Sequence, residues 1–161
     1  MEPKRDTTEF EDPLENYDPK VYQDALEQAL AEEPVEAIQS TPFASVPPDT
    51  PVCDAVEKLA KLHVACLLVQ QDGHLVGVFS DRDVLDKVAL EWDTVQNLPV
   101  SKVMTLEPVY VYATDSSGAA LSVMAVSGYR HVPVLDLNRN VVGIVSPQRI
   151  TEFLQRHVNA S

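Results

Sequence analysis

Two heptapeptides in this chain pair a serine with a charged residue three positions later. Residues 77–83 read GVFSDRD and residues 143–149 read GIVSPQR. Ser80 and Ser146 are followed by Asp83 and Arg149 in corresponding places. A serine and an aspartate at this spacing can do either of two things. They can form a capping box, in which the serine oxygen accepts from a backbone N–H of the first helical turn and the carboxylate favours the positive helix end. They can also present a hydroxyl and a carboxylate to a polar ligand. Ser146 can cap equally well, with Pro147 suited to the first helical position. Arg149 fits capping poorly, because a cation in the first turn opposes the helix dipole. Capping alone therefore does not account for the exchange of Asp for Arg.

The remaining chemistry-bearing residues are sparse. Cys53 and Cys66 do not form a CxxC pair and are expected as reduced thiols among apolar neighbours. His63, His74 and His157 lack ligand spacing, and Asp81 with Asp83 around an arginine is a poor magnesium site without a phosphate to complete it. There is no Walker loop or nucleophile elbow, and the chain has only five glycines. The expectation is a protein that is not an enzyme and binds no metal.

The chain has 161 residues, 45% of them hydrophobic, enough for one domain with a core. Net charge is −13, which disfavours nucleic acid and anionic membranes as partners. Residues 1–40 hold 12 acidic and 3 basic side chains, so most of the excess lies there. No apolar run approaches the ~18 residues of a membrane span, and the acidic start does not read as a signal peptide. A cytoplasmic location is expected.

Residues 1–17 read as a mobile, proline-punctuated segment. Asp18-Pro19 reads as a helix start, and Val21, Tyr22, Ala25, Leu26, Ala29 and Leu30 form one apolar stripe up to Glu32. That stripe needs a cover: its own body, an identical subunit or a foreign partner. Beyond it the body is a tandem repeat with an offset of 66, which superposes Asp49 on Asp115, Gly77 on Gly143 and Ser80 on Ser146. Each unit predicts a short strand (43–46; 109–112) and then a helix. A strand pair follows (66–70 and 75–79; 131–136 and 141–145), and a closing helix begins at Ser80 or Ser146. Asp72-Gly73 is a strong hairpin signal, and residues 90–102 read as the link between units. The expected class is mixed α+β: an acidic extension over 1–34 with a helix at about 18–32, repeat one over 35–92, and linker with repeat two over 93–161. The two strand-helix-strand-strand-helix units are expected to bury their sheets against each other.

The doubled turns, VMT at 103–105 and GYRHVPVLD at 128–136 together resemble the CBS domain family in its paired form, the Bateman module, over roughly residues 35–157. The resemblance implies that Asp83 accepts from both hydroxyls of an adenosine-type ribose, with Ser80 also reaching the ligand. It places Thr105 and the strand near Tyr110 against the adenine, and Arg130 and His131 near the phosphates. Without a ligand, Arg130 reads as a surface arginine and His131 as a strand histidine. Arg149 offers donors only, and losing the ribose contacts costs on the order of 3 kcal/mol, about a hundredfold in affinity. Ser146 and Arg149 thus mark a degenerate second site, whose companions Val64 and Ala65 carry no charge. The expectation is a regulatory module that binds one adenine nucleotide (AMP, ADP or ATP) per chain, forms a homodimer through its closing helices and acts on an effector protein in trans. The alternative is a ligand-free scaffold for dimerisation or interaction.

Overall fold

The computed structural model describes residues 18–158; the expectation for residues 1–17 falls outside them. The chain forms two four-stranded sheets. In chain order the elements are α1 (Ala25–Glu32), β1 (Gln39–Ser40), β2 (Ser45–Val46), α2 (Val52–Leu62), β3 (Cys66–Gln71), β4 (His74–Ser80), α3 (Asp81–Asp83) and α4 (Trp92–Val95). They continue with β5 (Thr105–Leu106), β6 (Val111–Tyr112), α5 (Ser117–Ser127), β7 (Val132–Leu135), β8 (Val141–Val145) and α6 (Pro147–Val158).

Sheet order is β2-β3-β4-β5 in the first unit and β1-β8-β7-β6 in the second. The short strand before each unit's own first strand therefore completes the other unit's sheet. Thr105 and Leu106 pair antiparallel with Val78 and Gly77, and Gln39 and Ser40 pair antiparallel with Val145 and Ile144. The glycine of each repeated turn makes room for this exchange. A Cβ on Gly77 would collide with the Met104 side chain, and one on Gly143 would stand 2.8 Å from Gln39 Oε1.

The expected helix from Asp18 is shorter than its apolar stripe suggests. Asp24 caps it by accepting from Glu27 N–H at 2.8 Å, and Glu27 reaches back to Gln23 N–H. That reciprocal cap overrides the Asp18-Pro19 signal. Helix α1 lies on the second unit. Ser117 N–H donates to Glu33 O at 2.8 Å, and Val35 N–H donates to Asp115 O at 2.7 Å. Ser117 Oγ donates to Glu33 O, and a Cβ on Gly118 would stand 2.9 Å from Leu30 O. The same pattern recurs in the first unit, where Val52 N–H donates to Leu98 O and Val100 N–H to Thr50 O. The expected link is thus structured: α4 and the 3₁₀ turn Val100–Lys102 correspond to α1 and Val35–Ala37.

Each unit has its own core. Phe79, Leu67, Val69, Val52 and Val88 anchor the first, and Phe153, Val132, Val134, Val35 and Ile38 the second. Leu67 and Val69 point into the first core, while Cys66 and Leu68 are buried on the opposite face of β3. Strands covered on both faces are what two sheets packed through one another require.

The closing helices differ. Helix α6 runs 12 residues. Its counterpart after β4 breaks into α3, a π turn (Val84–Val88) and a 3₁₀ turn (Ala89–Glu91) before α4, so the single helix expected from Ser80 is not formed. The apolar residues of the closing helices, Val84, Leu85, Val88, Ile150, Phe153 and Leu154, suit a dimer face or core packing equally by sequence, and most of them pack into the cores. Val88 and Phe153 are fully buried, Val84, Ile150 and Leu154 pack against the cores, and Leu85 is exposed.

Candidate ligand-binding site

Between the units lies a cleft open to solvent. Strand β4 and α3 bring Ser80, Asp81 and Arg82; the swapped strand β5 brings Thr105; the second unit brings Arg130 and His131. Val78, Pro108, Val109 and Cys66 supply its apolar wall.

Asp83 lies beneath this cleft rather than in its lining, with 5% of its surface exposed. Its carboxylate accepts four hydrogen bonds. Oδ2 takes Ser80 N–H at 2.9 Å and Ser80 Oγ at 3.0 Å, while Oδ1 takes Thr105 Oγ1 at 2.9 Å and Lys87 Nζ at 2.7 Å. The capping box is therefore present, and it is part of a larger network. Lys87 also donates to Val103 O at 3.0 Å, tying the π turn to the segment entering β5. Ser80 and Thr105 stand both in the cleft and on the carboxylate, so they form a polar floor with Asp83 behind it.

Ser80, Thr105, Arg130 and His131 are brought together; Tyr110 is not. Val109 lines the cleft and Tyr110, in the irregular segment before β6, does not. Tyr110 lines a different concavity with His74, where its ring meets Tyr112 edge-on at 5.6 Å and Arg139 lies 6.0 Å from its centroid.

A second open cleft is the counterpart of the first across the repeat. Ser146 takes the place of Ser80, Pro147 of Asp81, Gln148 of Arg82, Val64 of Arg130 and Ala65 of His131. Among the described residues, no Asp, Glu, Lys or Arg lines it. Arg149 instead donates to Ser40 Oγ at 3.0 Å and Glu152 Oε2 at 3.2 Å.

The CBS domain model matches residues 35–90 and 100–156 of the sequence. The chain belongs to the CBS domain family. The CBS domain-containing protein CBSCBSPB5 of Arabidopsis thaliana is 32% identical over 115 residues, 71% of this chain and 21% of that protein. The chain thus spans about a fifth of the length of that plant relative. YhcV of Bacillus subtilis is 31% identical over 112 residues, covering 70% of this chain and 79% of its own. Among solved structures, the CBS-pair protein CBSX2 from Arabidopsis thaliana superposes with a TM-score of 0.70 at 25% identity, over 80% of this chain and 97% of that one. CBSX2 in complex with AMP gives 0.67 at 27% identity, over 76% and 96%.

In this CBS pair His131 and Arg130 are neighbours in the cleft lining, and each affects the other. Burial and the neighbouring Arg130 hold His131 below its ordinary 6.5, against an opposing pull from Asp81. Without an anion beside it, the His131 ring thus favours the neutral form. Arg82, on the cleft rim, is the cation that sequence reasoning missed. Comparing it with Gln148 at the matching place in the second turn would have flagged it, as comparing Asp83 with Arg149 flagged the carboxylate. Lys87 was missed as well; its signal was the i,i+4 spacing from Asp83. Burial, with Asp83 and Asp81 nearby, pushes the Cys66 thiol up to about 12, which keeps it protonated and unreactive. Among the described residues, no group of three or more His, Cys, Asp or Glu is placed to hold a metal, and no helix is long and apolar enough to cross a membrane.

Proposed function

We propose that this CBS pair is a non-catalytic regulatory module that binds one adenosyl nucleotide per chain in the first cleft and acts on an effector protein in trans. The observation that carries the reading is the contrast between the two clefts. The first combines a hydroxyl floor backed by a carboxylate, an apolar wall suited to a planar base, and arginines at the rim. The second keeps the serine at the matching place without the charges. In the bound state the ribose hydroxyls replace Thr105 and Ser80 as donors to Asp83. Those two side chains turn aside, Ser80 giving up its cap on the Asp83 N–H, while Lys87 and the Ser80 N–H keep holding the carboxylate. The AMP complex of CBSX2 shows that a fold of this kind accommodates adenylate. Association as a homodimer and a cytoplasmic location belong to the same proposal.

One observation favours the second reading, a ligand-free interaction scaffold: the Asp83 carboxylate is already saturated by donors of its own chain. Calorimetric titration with AMP, ADP, ATP and adenosine separates the two. The nucleotide reading expects saturable binding at one site per chain; the scaffold reading expects no heat from any adenosyl compound at millimolar concentration.

A further inference from the structure

The rim of the first cleft, whose arginines the nucleotide reading already uses, also holds Asp81, a carboxylate that reading leaves without a part. Arg82 comes from α3 of the first unit and Arg130 from the approach to β7 in the second, and both line the same cleft. Asp81 stands with them. Its Oδ2 accepts from Arg130 Nη2 at 3.4 Å across the unit boundary, and its Oδ1 accepts from the Arg82 N–H at 2.8 Å. Neither guanidinium is committed to a strong partner. The Arg82–Asp86 contact is long, at 3.8 Å between two well-exposed side chains, and the Arg130–Asp81 pair is also exposed. Exposed pairs of this kind contribute little and exchange readily. The counterpart triad in the second cleft is Pro147, Gln148 and Val64.

We propose that Arg82, Arg130 and Asp81 form a subsite that selects by the length of a phosphate chain, favouring nucleoside di- and triphosphates over monophosphates. This rests on the nucleotide reading above. The carboxylate of Asp81 already supplies Arg130 with a single negative charge. A monophosphate near that place replaces one anion by another and is repelled by Asp81. A longer chain carries enough charge to take Arg130 from Asp81 and still reach Arg82. Guanidinium groups suit this role because they offer several donors in a fixed plane to phosphate oxygens. Asp81 thus acts as a threshold rather than a ligand, and Arg82 as the residue that distinguishes long chains from short ones.

The test is calorimetric titration of the full chain with adenosine, AMP and ATP, at fixed ionic strength and without divalent cations. ATP is expected to bind about tenfold more tightly than AMP, the gain from one added charge-assisted contact. Arg82→Gln, which copies the second cleft, is expected to lower the ratio of ATP to adenosine affinity about tenfold, and Asp81→Asn to raise AMP affinity about threefold or more by removing the competing anion. Equal affinities for AMP and ATP, or a ratio that Arg82→Gln leaves unmoved, overturn the subsite while the nucleotide reading stands. Absence of binding by all three compounds overturns the nucleotide reading and the subsite with it.

Discussion

Removing the Asp83 carboxylate takes the acceptor from four hydrogen bonds at once and leaves Lys87 without its counter-charge. Asp83→Ala is therefore expected to lower stability by about 2–3 kcal/mol, seen as a lower urea midpoint, and to weaken AMP binding about a hundredfold or more. Loss of stability with unchanged AMP affinity would assign Asp83 to structure alone. His131 gives a pH dependence of definite sign. Its folded value lies below the ordinary 6.5, so as pH falls the unfolded chain takes the proton first. The stability this provides is fully present above 6.5 and is lost as pH falls through the lower folded value. Melting temperature should thus decline as pH falls below the ordinary 6.5, and His131→Gln should decline less over the same range. These residue roles were legible to different degrees. The Asp83/Arg149 exchange stood out because a repeated motif supplies its own control. The donors saturating Asp83 did not, because Lys87 and Thr105 reach it only once the π turn and the swapped strand are in place.

At the scale of elements, the strands β3, β4, β7 and β8 were readable because apolar runs and a strong hairpin turn mark them. The two-residue strands β1 and β5 were not: Gln39–Ser40 and Thr105–Leu106 have no periodicity to read, and their pairing is decided by the other repeat. The start of α1 was misplaced because Asp18-Pro19 and Asp24-x-x-Glu27 both resemble helix starts, and only the second closes a reciprocal cap. The docking of α1 depends on close approach at Gly118. A methyl group there would stand 2.9 Å from Leu30 O, a backbone atom that yields only if the helix lifts. Gly118→Ala should gain up to about 1 kcal/mol in helix propensity and lose about 1–3 kcal/mol to overpacking. The expected result is net destabilisation, with limited proteolysis cutting first around residues 24–34. Cleavage unchanged from the parent would show that the contact is relieved without moving α1.

For the whole molecule, strand exchange interleaves the two repeats. The first unit cannot complete its sheet without β5, nor the second without β1, so neither core forms without chain from the other side. The CBS pair should unfold in one transition, with the fluorescence of its single tryptophan, the partly exposed Trp92 at the start of α4, coinciding with far-ultraviolet circular dichroism from both units. Two separated transitions would show that the repeats are independent. The same interleaving makes the clefts joint property of both units, since Cys66 and His131 border both of them. The repeat has left two clefts at corresponding places, and the differences at Asp83/Arg149, Arg82/Gln148 and Arg130/Val64 make them chemically unlike.

The number of adenine nucleotides bound per chain tests this most directly, measured by calorimetric titration of AMP or ATP into protein of known concentration. The account predicts a stoichiometry of one, abolished by Asp83→Ala. Two equivalent sites per chain, or one site that survives Asp83→Ala, would contradict it.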